Sequence, residues 1–484
     1  MSGLCMAIRL KQAGFQNVTI IESANEVGGT WFKNTYPNAG CDVPSFLYSY
    51  SFAPNYDWST KYARQPEILA YFRDVVDRFS LGPQIRFRTT VHAAEFDPPS
   101  ATWRVTTTDG QTLTAEILVS AVGQLNRPQV PDIPGLDSFS GDVWHSACWQ
   151  HDCDLTGKTI AVVGNGASAI QFVPTVAEKA ARLLVFQRTP NWIHPLNNYR
   201  YPGWARFAFR NVPWCAKLHR LWIYVASDLR ILAFRSGSKL NLEYARWLRS
   251  RMRKKISPER WSELIPEYAP GCKRVLLSSD YLSALSRDNV QVITDPIQRF
   301  DARSIHTGQS SHQIDVAIFA TGFKANEFLR PMEIKGLGGQ RLHDVWGTRP
   351  RAMGGMVVPG FPNFFMLYGP NTNLGHNSII FMVERQVGYI IRSLRHMLEI
   401  GASAVEVKQD VMDGYDKRVQ HKLQSSIWAT DCTSWYKAAD GTQPNNWPGS
   451  ATAFWRRMRR PRFSDFDWSI QQNPLITKKG EGGN

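Results

Sequence analysis

The sequence has no CxxC pair, no long apolar run and, over one stretch, almost no acid to balance its bases. Its seven cysteines (Cys5, Cys41, Cys148, Cys153, Cys215, Cys272, Cys432) are odd in number and scattered. The one close pair, Cys148 and Cys153, has neither zinc-ligand spacing nor a second pair to complete a site, so no metal is expected. All seven read as reduced thiols of an intracellular, cytoplasmic protein. The opening residues (MSGLCMAIRLKQAGF) are amphipathic rather than charged-then-apolar, and do not read as a secretory leader. The most apolar stretch, 221–234, is interrupted by Asp228 and Arg230 and is too short to span a bilayer. No nucleic-acid-binding motif accompanies the positive charge.

What is present is a basic chain of 484 residues with formal net charge +15, long enough for two or three domains. Fifteen Lys or Arg fall between Arg200 and Arg260, against Asp228, Glu243 and Glu259. This segment reads either as a surface for anionic membranes or polyanions or as a solvated helical face. The second reading is preferred, with peripheral membrane contact left open. The seventeen tryptophans suggest an aromatic-rich interior or substrate cavity.

Periodicity organises the rest. A helix is expected from Ser2 to Ala13, stopped by Gly14, then a buried strand over Val18 to Ile21 ending in Glu22. A hairpin turning at Asp109-Gly110 leads into an apolar strand, Ile117 to Val122. A second strand–turn–helix–strand unit follows: Lys158 to Val163, then Gly164-Asn165-Gly166-Ala167-Ser168-Ala169, a helix, and Leu183 to Phe186. A further strand, Val316 to Phe319, closes the unit, and a helix is expected from about Phe381 to Glu399. The fold class is therefore α/β, with two Rossmann-like dinucleotide domains, the second inserted in the first. The expected divisions are 1–145, 150–324 with a basic helical insertion at about 196–265, and a return to the first domain with a covering region over 325–484.

The Gly164-x-Gly166-x-x-Ala169 turn sits between strand and helix, as a pyrophosphate cradle requires. Gly164 allows the tight turn, Gly166 lets backbone approach phosphate, and Ser168 and Ala169 open the helix whose N-terminus faces the anion. An NAD site would offer an acid at the next strand end; here Gln187-Arg188 stands there, and Arg188, with Lys273, suits a 2′-phosphate. NADP(H) is therefore expected here. Glu22 ends the earlier strand where an acid accepts from a ribose; since NADP has its own site, FAD is expected there, which makes the fold an NADP domain inserted in the FAD domain.

On these residues the chain resembles the type I Baeyer–Villiger monooxygenases, within the wider flavin-containing monooxygenases, over nearly its whole length. Phe139-x-Gly141-x-x-x-His145-x-x-x-Trp149 resembles the family fingerprint, with Gln150 a small departure, and implies a conformational role for His145 at the domain junction. Gly28-Gly29-Thr30-Trp31, then Tyr36-Pro37 and Asp42, resembles a second signature, with Asn38 in place of a smaller residue or Met. Cys272-Lys273-Arg274 is similar to the segment bearing the active-site arginine. The resemblance implies catalytic roles for Arg274 and Asp42, Asp42 orienting the guanidinium. It also implies that Gly29, Trp31 and Asp42 line FAD, that Lys273 faces NADP, and that Trp435 helps cover NADP.

The reaction implied is flavin reduction by NADPH, addition of O2 to give a C4a-peroxyflavin, and insertion of one oxygen into a ketone to form an ester or lactone. The alternatives are N- or S-oxygenation, or an NADP-binding remnant without catalysis. A complete FAD motif would place a strand and two glycines before Gly3, which falls on the third glycine. A truncated gene model or late start is therefore expected, along with a weakened FAD site.

Overall fold

The computed structural model describes residues 1–430, 434, 436–438 and 440–470. Trp435 and Cys432 lie outside them.

The opening helix is Ser2–Gln12, and Gly14 leaves it at φ +98°. Leu4, Cys5, Ala7 and Ile8 are buried on it. The first strand is shorter than its apolar run: only Ile20–Ile21 is extended, paired in parallel with Ile85–Arg86. Strand length follows the partners available, and Ile20–Ile21 is hydrogen-bonded along one edge only. Leu118–Ser120 pairs in parallel with Phe364–Met366, so the chain returns to this unit after a long excursion. A Cβ on Gly3 would lie 3.6 Å from Ala121 Cβ and 4.0 Å from Ile20 Cγ2, which puts the first helical turn between the two strand pairs. The Asp-Gly hairpin is present, Thr102–Thr107 against Thr112–Ala115.

The excursion builds a second, all-parallel sheet. Its strands run in the order Val290–Ile293, Arg182–Phe186, Thr159–Val163, Val316–Phe319 and Asp142–His145. The central strands are apolar at nearly every position because both faces are covered. The fingerprint strand Asp142–His145 is hydrogen-bonded into this sheet, so the sheet begins before residue 145. The fold is thus α/β, with one Rossmann-like unit inserted in another.

Between residues 196 and 265 the chain forms the helices Gly203–Asn211, Pro213–Leu229 and Lys239–Arg253. The helix Ile379–Glu399 packs against Ser2–Gln12 and Ala451–Met458. No helix among the described residues is long and apolar enough to cross a membrane.

One expectation is corrected. Cys5, Cys41, Cys148, Cys153 and Cys215 are thiols, but Cys272 is disulfide-bonded. Sequence spacing gave no sign of this, because pairing depends on which side chains the fold brings together.

Candidate active site at the junction of the two dinucleotide units

The Gly164 turn is steric in origin. Its φ is +106°, and a Cβ would sit 2.6 Å from Ala320 O, so no side chain fits. Above Gly166 a Cβ would meet nothing within 4 Å, leaving open space at the start of the helix Ala169–Lys179. Asn165 braces the turn: its Nδ2 donates to Gln187 Oε1 at 2.8 Å and to Thr189 O at 2.9 Å. Ser168 takes the N-cap position without a side-chain cap bond, its hydroxyl beside the Tyr36 phenol.

Two cations meet at the end of the adjacent strand. Lys273 Nζ donates to Thr189 Oγ1 at 2.5 Å, and burial together with nearby Arg188 lowers the lysine's pKa. Among the described residues no carboxylate forms an ion pair with either. Neighbouring positive charges without a counter-anion suit a phosphate monoester, so these residues fit NADP(H).

The segment 36–42 is docked on the second unit. Tyr36 Oη donates to Gln171 Oε1 at 3.1 Å, Gln171 Nε2 donates to Gly40 O at 3.0 Å, and Asn38 Nδ2 donates to Thr175 Oγ1 at 2.8 Å. This clamp on the helix Ala169–Lys179 carries Asp42 to Arg274, whose Nη2 donates to Asp42 Oδ2. Asp42 strengthens the protonation of that guanidinium more than burial weakens it. Tyr368 and Tyr436 flank the pair, and burial pushes the Tyr436 phenol up to about 12, so it stays protonated. Tyr368 holds φ 59°, unusual for a bulky residue. Its backbone N–H donates to Gln386 Oε1 at 3.0 Å and its hydroxyl to Asn373 Oδ1 at 2.8 Å.

On the first unit, Trp31 Nε1 donates to Tyr48 Oη at 2.8 Å, with the rings edge-on. Gly29 begins this short helix at φ 55°, with no atom where a Cβ would reach. Glu22 accepts from Ala24 N–H at 2.9 Å through one oxygen, which aims its carboxylate at the strand end. A Glu22 oxygen for a ribose and open backbone at Gly29 fit FAD.

The fingerprint residues lie where the chain enters the second unit. Phe139 is buried edge-on to Phe300. A Cβ on Gly141 would lie 2.3 Å from Asp315 O. His145 is buried, its Nδ1 accepting from Ala147 N–H at 3.1 Å and its ring beside Phe323 and the Gly322 backbone. Trp149 packs on Trp144 and on Phe172 of the helix Ala169–Lys179.

Thus Asp42 meets Arg274 and Lys273 meets Arg188, the two pairs joined through the adjacent positions 273 and 274, and Trp31 bonds Tyr48, which lies near Asp42. Gly3 and Glu22 stay with the first strand, and Trp435 lies outside the described residues. Sequence reasoning missed Tyr48, Gln171, Thr189 and Tyr368, and it noted Tyr436 only as a neighbour of Trp435. Only Tyr368 carried a local signal, its place before Gly369-Pro370-Asn371 in a turn-rich loop.

Two dinucleotide-binding units with a carboxylate–guanidinium pair between them define a flavoprotein oxidoreductase. Residues 2–206 match the family model of pyridine nucleotide-disulphide oxidoreductases. The chain is 38% identical to the FAD-binding monooxygenase ktnD of Aspergillus niger, with 99% of this chain and 82% of that protein covered. It is also 38% identical to a Baeyer–Villiger monooxygenase of Streptomyces coelicolor, with 96% and 90% covered. Among solved structures, an oxidized steroid monooxygenase bound to NADP superimposes with TM-score 0.87 at 30% identity, covering 97% of this chain and 98% of that one. OTEMO in complex with FAD and NADP gives 0.88 at 28%, with 97% of each covered. The chain belongs to the Baeyer–Villiger monooxygenases, flavin-dependent oxidoreductases.

Proposed function

We propose that this protein is an NADPH- and FAD-dependent monooxygenase that inserts one atom of O2 into a small organic ketone, giving an ester or lactone. The observation that carries this reading is the Asp42–Arg274 pair, contributed by different units and set beside the Lys273–Arg188 pair. Gly164, Gly166, Ser168 and Ala169 receive the NADP pyrophosphate, and Arg188 and Lys273 its 2′-phosphate. Glu22, Gly29, Trp31 and Asp42 line FAD, with Gly3 at the start of the first helix. FAD reduced by NADPH supplies the electrons that activate O2.

Arg274 holds a fixed positive charge where the ketone oxygen gains negative charge as its carbon is attacked. Asp42 positions that guanidinium and keeps it from turning to solvent. Phe139, Gly141, His145 and Trp149 transmit closure between the units. The first unit ends before the strand Asp142–His145 rather than at 145, the second runs on to about 324, and 325–484 returns to the first. The enzyme's contact with membranes is peripheral, through the basic insertion.

The test is turnover of a cyclic ketone, a sulfide and an amine by the purified full chain under 18O2. One labelled oxygen in a lactone, together with bound flavin absorbance, supports the reading. Oxidation of the sulfide or amine without any lactone overturns it, and a flavin-free chain that binds only NADPH does too.

A further inference from the structure

The helix Pro213–Leu229 is mounted with its apolar side outward. Trp214, Leu218, Leu221, Trp222, Val225 and Leu229 are spaced at three or four residues and all are exposed, Trp222 to 64%. Its inward side holds Ala216, Ile223 and Ser227 with the polar His219 and Arg220. Globular helices place these sides the other way round.

The orientation is fixed by bonds at two points. Arg220 donates through Nη1 to Phe46 O and through Nη2 to Ser49 O at 3.0 Å. Asp228 accepts from Ala451 N–H at 2.6 Å and Thr452 Oγ1 at 2.6 Å, capping the helix Ala451–Met458. Turning the apolar stripe inward would break both. The neighbouring helix Gly203–Asn211 adds Trp204, 76% exposed, and Phe207.

Charge identifies what this face meets. Residues 196–240 contain eight bases and one acid, Asp228, which faces inward. Arg206 and Arg210 pair with Asp57 and Arg220 turns inward, which leaves Arg200, Lys217, Arg230, Arg235 and Lys239 unpaired by Asp228 or Asp57. Lys217 stands beside the stripe, and Arg230, Arg235 and Lys239 follow its C-terminal end, all exposed. An isologous contact with a second copy would bring these cations against their own equivalents. An acidic lipid surface pairs with them while its acyl boundary takes the tryptophan and leucine side chains. Tryptophan is the residue suited to that boundary, with an apolar ring and one polar N–H.

We propose that the stripe on Pro213–Leu229, with Trp204 and Phe207, docks the enzyme on anionic bilayers in the plane of the interface. This rests on the reading of the basic insertion as a peripheral contact and deepens it, and it is independent of the oxygenation chemistry. The helix lies on the bilayer rather than across it, because its inward side is already committed to protein.

Flotation of the full chain with vesicles tests the proposal, using phosphatidylcholine alone and with phosphatidylglycerol, at low and high salt. The expected result is flotation with the anionic vesicles, weakened by salt. Leu218→Asp/Trp222→Asp should lower partitioning about tenfold or more, and Lys217→Glu/Arg230→Glu should weaken it on anionic vesicles only. Both pairs are solvent-facing, and circular dichroism verifies their fold. Absence of the parent from floated anionic vesicles overturns the proposal. So does equal binding to neutral vesicles, or a double variant that floats as the parent does. A parent dimer in light scattering that Trp222→Asp dissociates shows instead that a second copy covers the face. Turnover of a water-soluble ketone without vesicles is measured in parallel, so loss of docking and loss of the oxygenase reading give separate results.

Discussion

Arg274 and Asp42 are 232 residues apart in sequence, yet the guanidinium donates directly to the carboxylate across the junction of the two units. The aspartate arrives there because 36–42 is clamped to the helix Ala169–Lys179 through Gln171. The pair is therefore a contact between distant parts of the chain, made where the two units meet.

Arg274→Ala should still permit flavin reduction by NADPH, because the NADP residues are untouched, while ester formation falls by roughly 10²-fold or more. Stopped-flow flavin bleaching and product analysis measure the two steps. Asp42→Asn keeps the cation but loosens it, so its loss of ester formation should be the smaller. An Arg274→Ala enzyme with undiminished ester yield would sink the role given to the arginine.

Arg188→Ala should raise KM for NADPH by about ten- to a hundredfold, the worth of a charge-assisted hydrogen bond, and leave KM for NADH nearly unchanged. Removing Arg188 also relieves its repulsion of Lys273. Titration of Lys273 should therefore move up, toward the usual lysine range, in the variant. Steady-state kinetics with both nucleotides decide the first point.

Gly141→Ala forces a Cβ to within 2.3 Å of Asp315 O, a backbone atom that is hard to displace. We expect destabilisation by about 1–3 kcal/mol, the usual cost of overpacking, read from urea unfolding. Gly166→Ala meets open space, so it should leave stability nearly unchanged and weaken NADPH binding instead.

His194 has its pKa lowered from 6.5 to about 4 by burial, with Arg230 and Lys61 adding repulsion. Above pH 6.5 the ring is neutral both folded and unfolded, so its contribution to stability is complete. As pH falls, the unfolded chain takes up the proton first, and stability is lost between pH 6.5 and about 4. The urea midpoint should fall across that window, and His194→Phe should flatten the fall. An unchanged slope in the variant assigns the acid sensitivity to other groups.

Much of the site was legible because its parts are local. The Gly164 turn lies between two elements whose periods differ, and Arg188 ends a strand whose apolar run is plain. Strand lengths were less legible. Ile20–Ile21 is far shorter than its run because pairing, a property of the neighbours, sets where extended structure ends. Tyr368 gave little signal, because an aromatic beside a distant arginine looks like any packing aromatic.

By itself the sequence determined two dinucleotide units, their order, the preference for NADP over NAD and the family fingerprint, since each rests on residues near one another in the chain. The tertiary structure decided the Asp42–Arg274 contact, the disulfide state of Cys272 and the outward stripe on Pro213–Leu229. Seventeen tryptophans suggested an apolar interior, yet Trp204, Trp214 and Trp222 face solvent. Helical periodicity shows that a helix has two sides. Which side turns inward is set by long-range anchors such as Arg220 and Asp228.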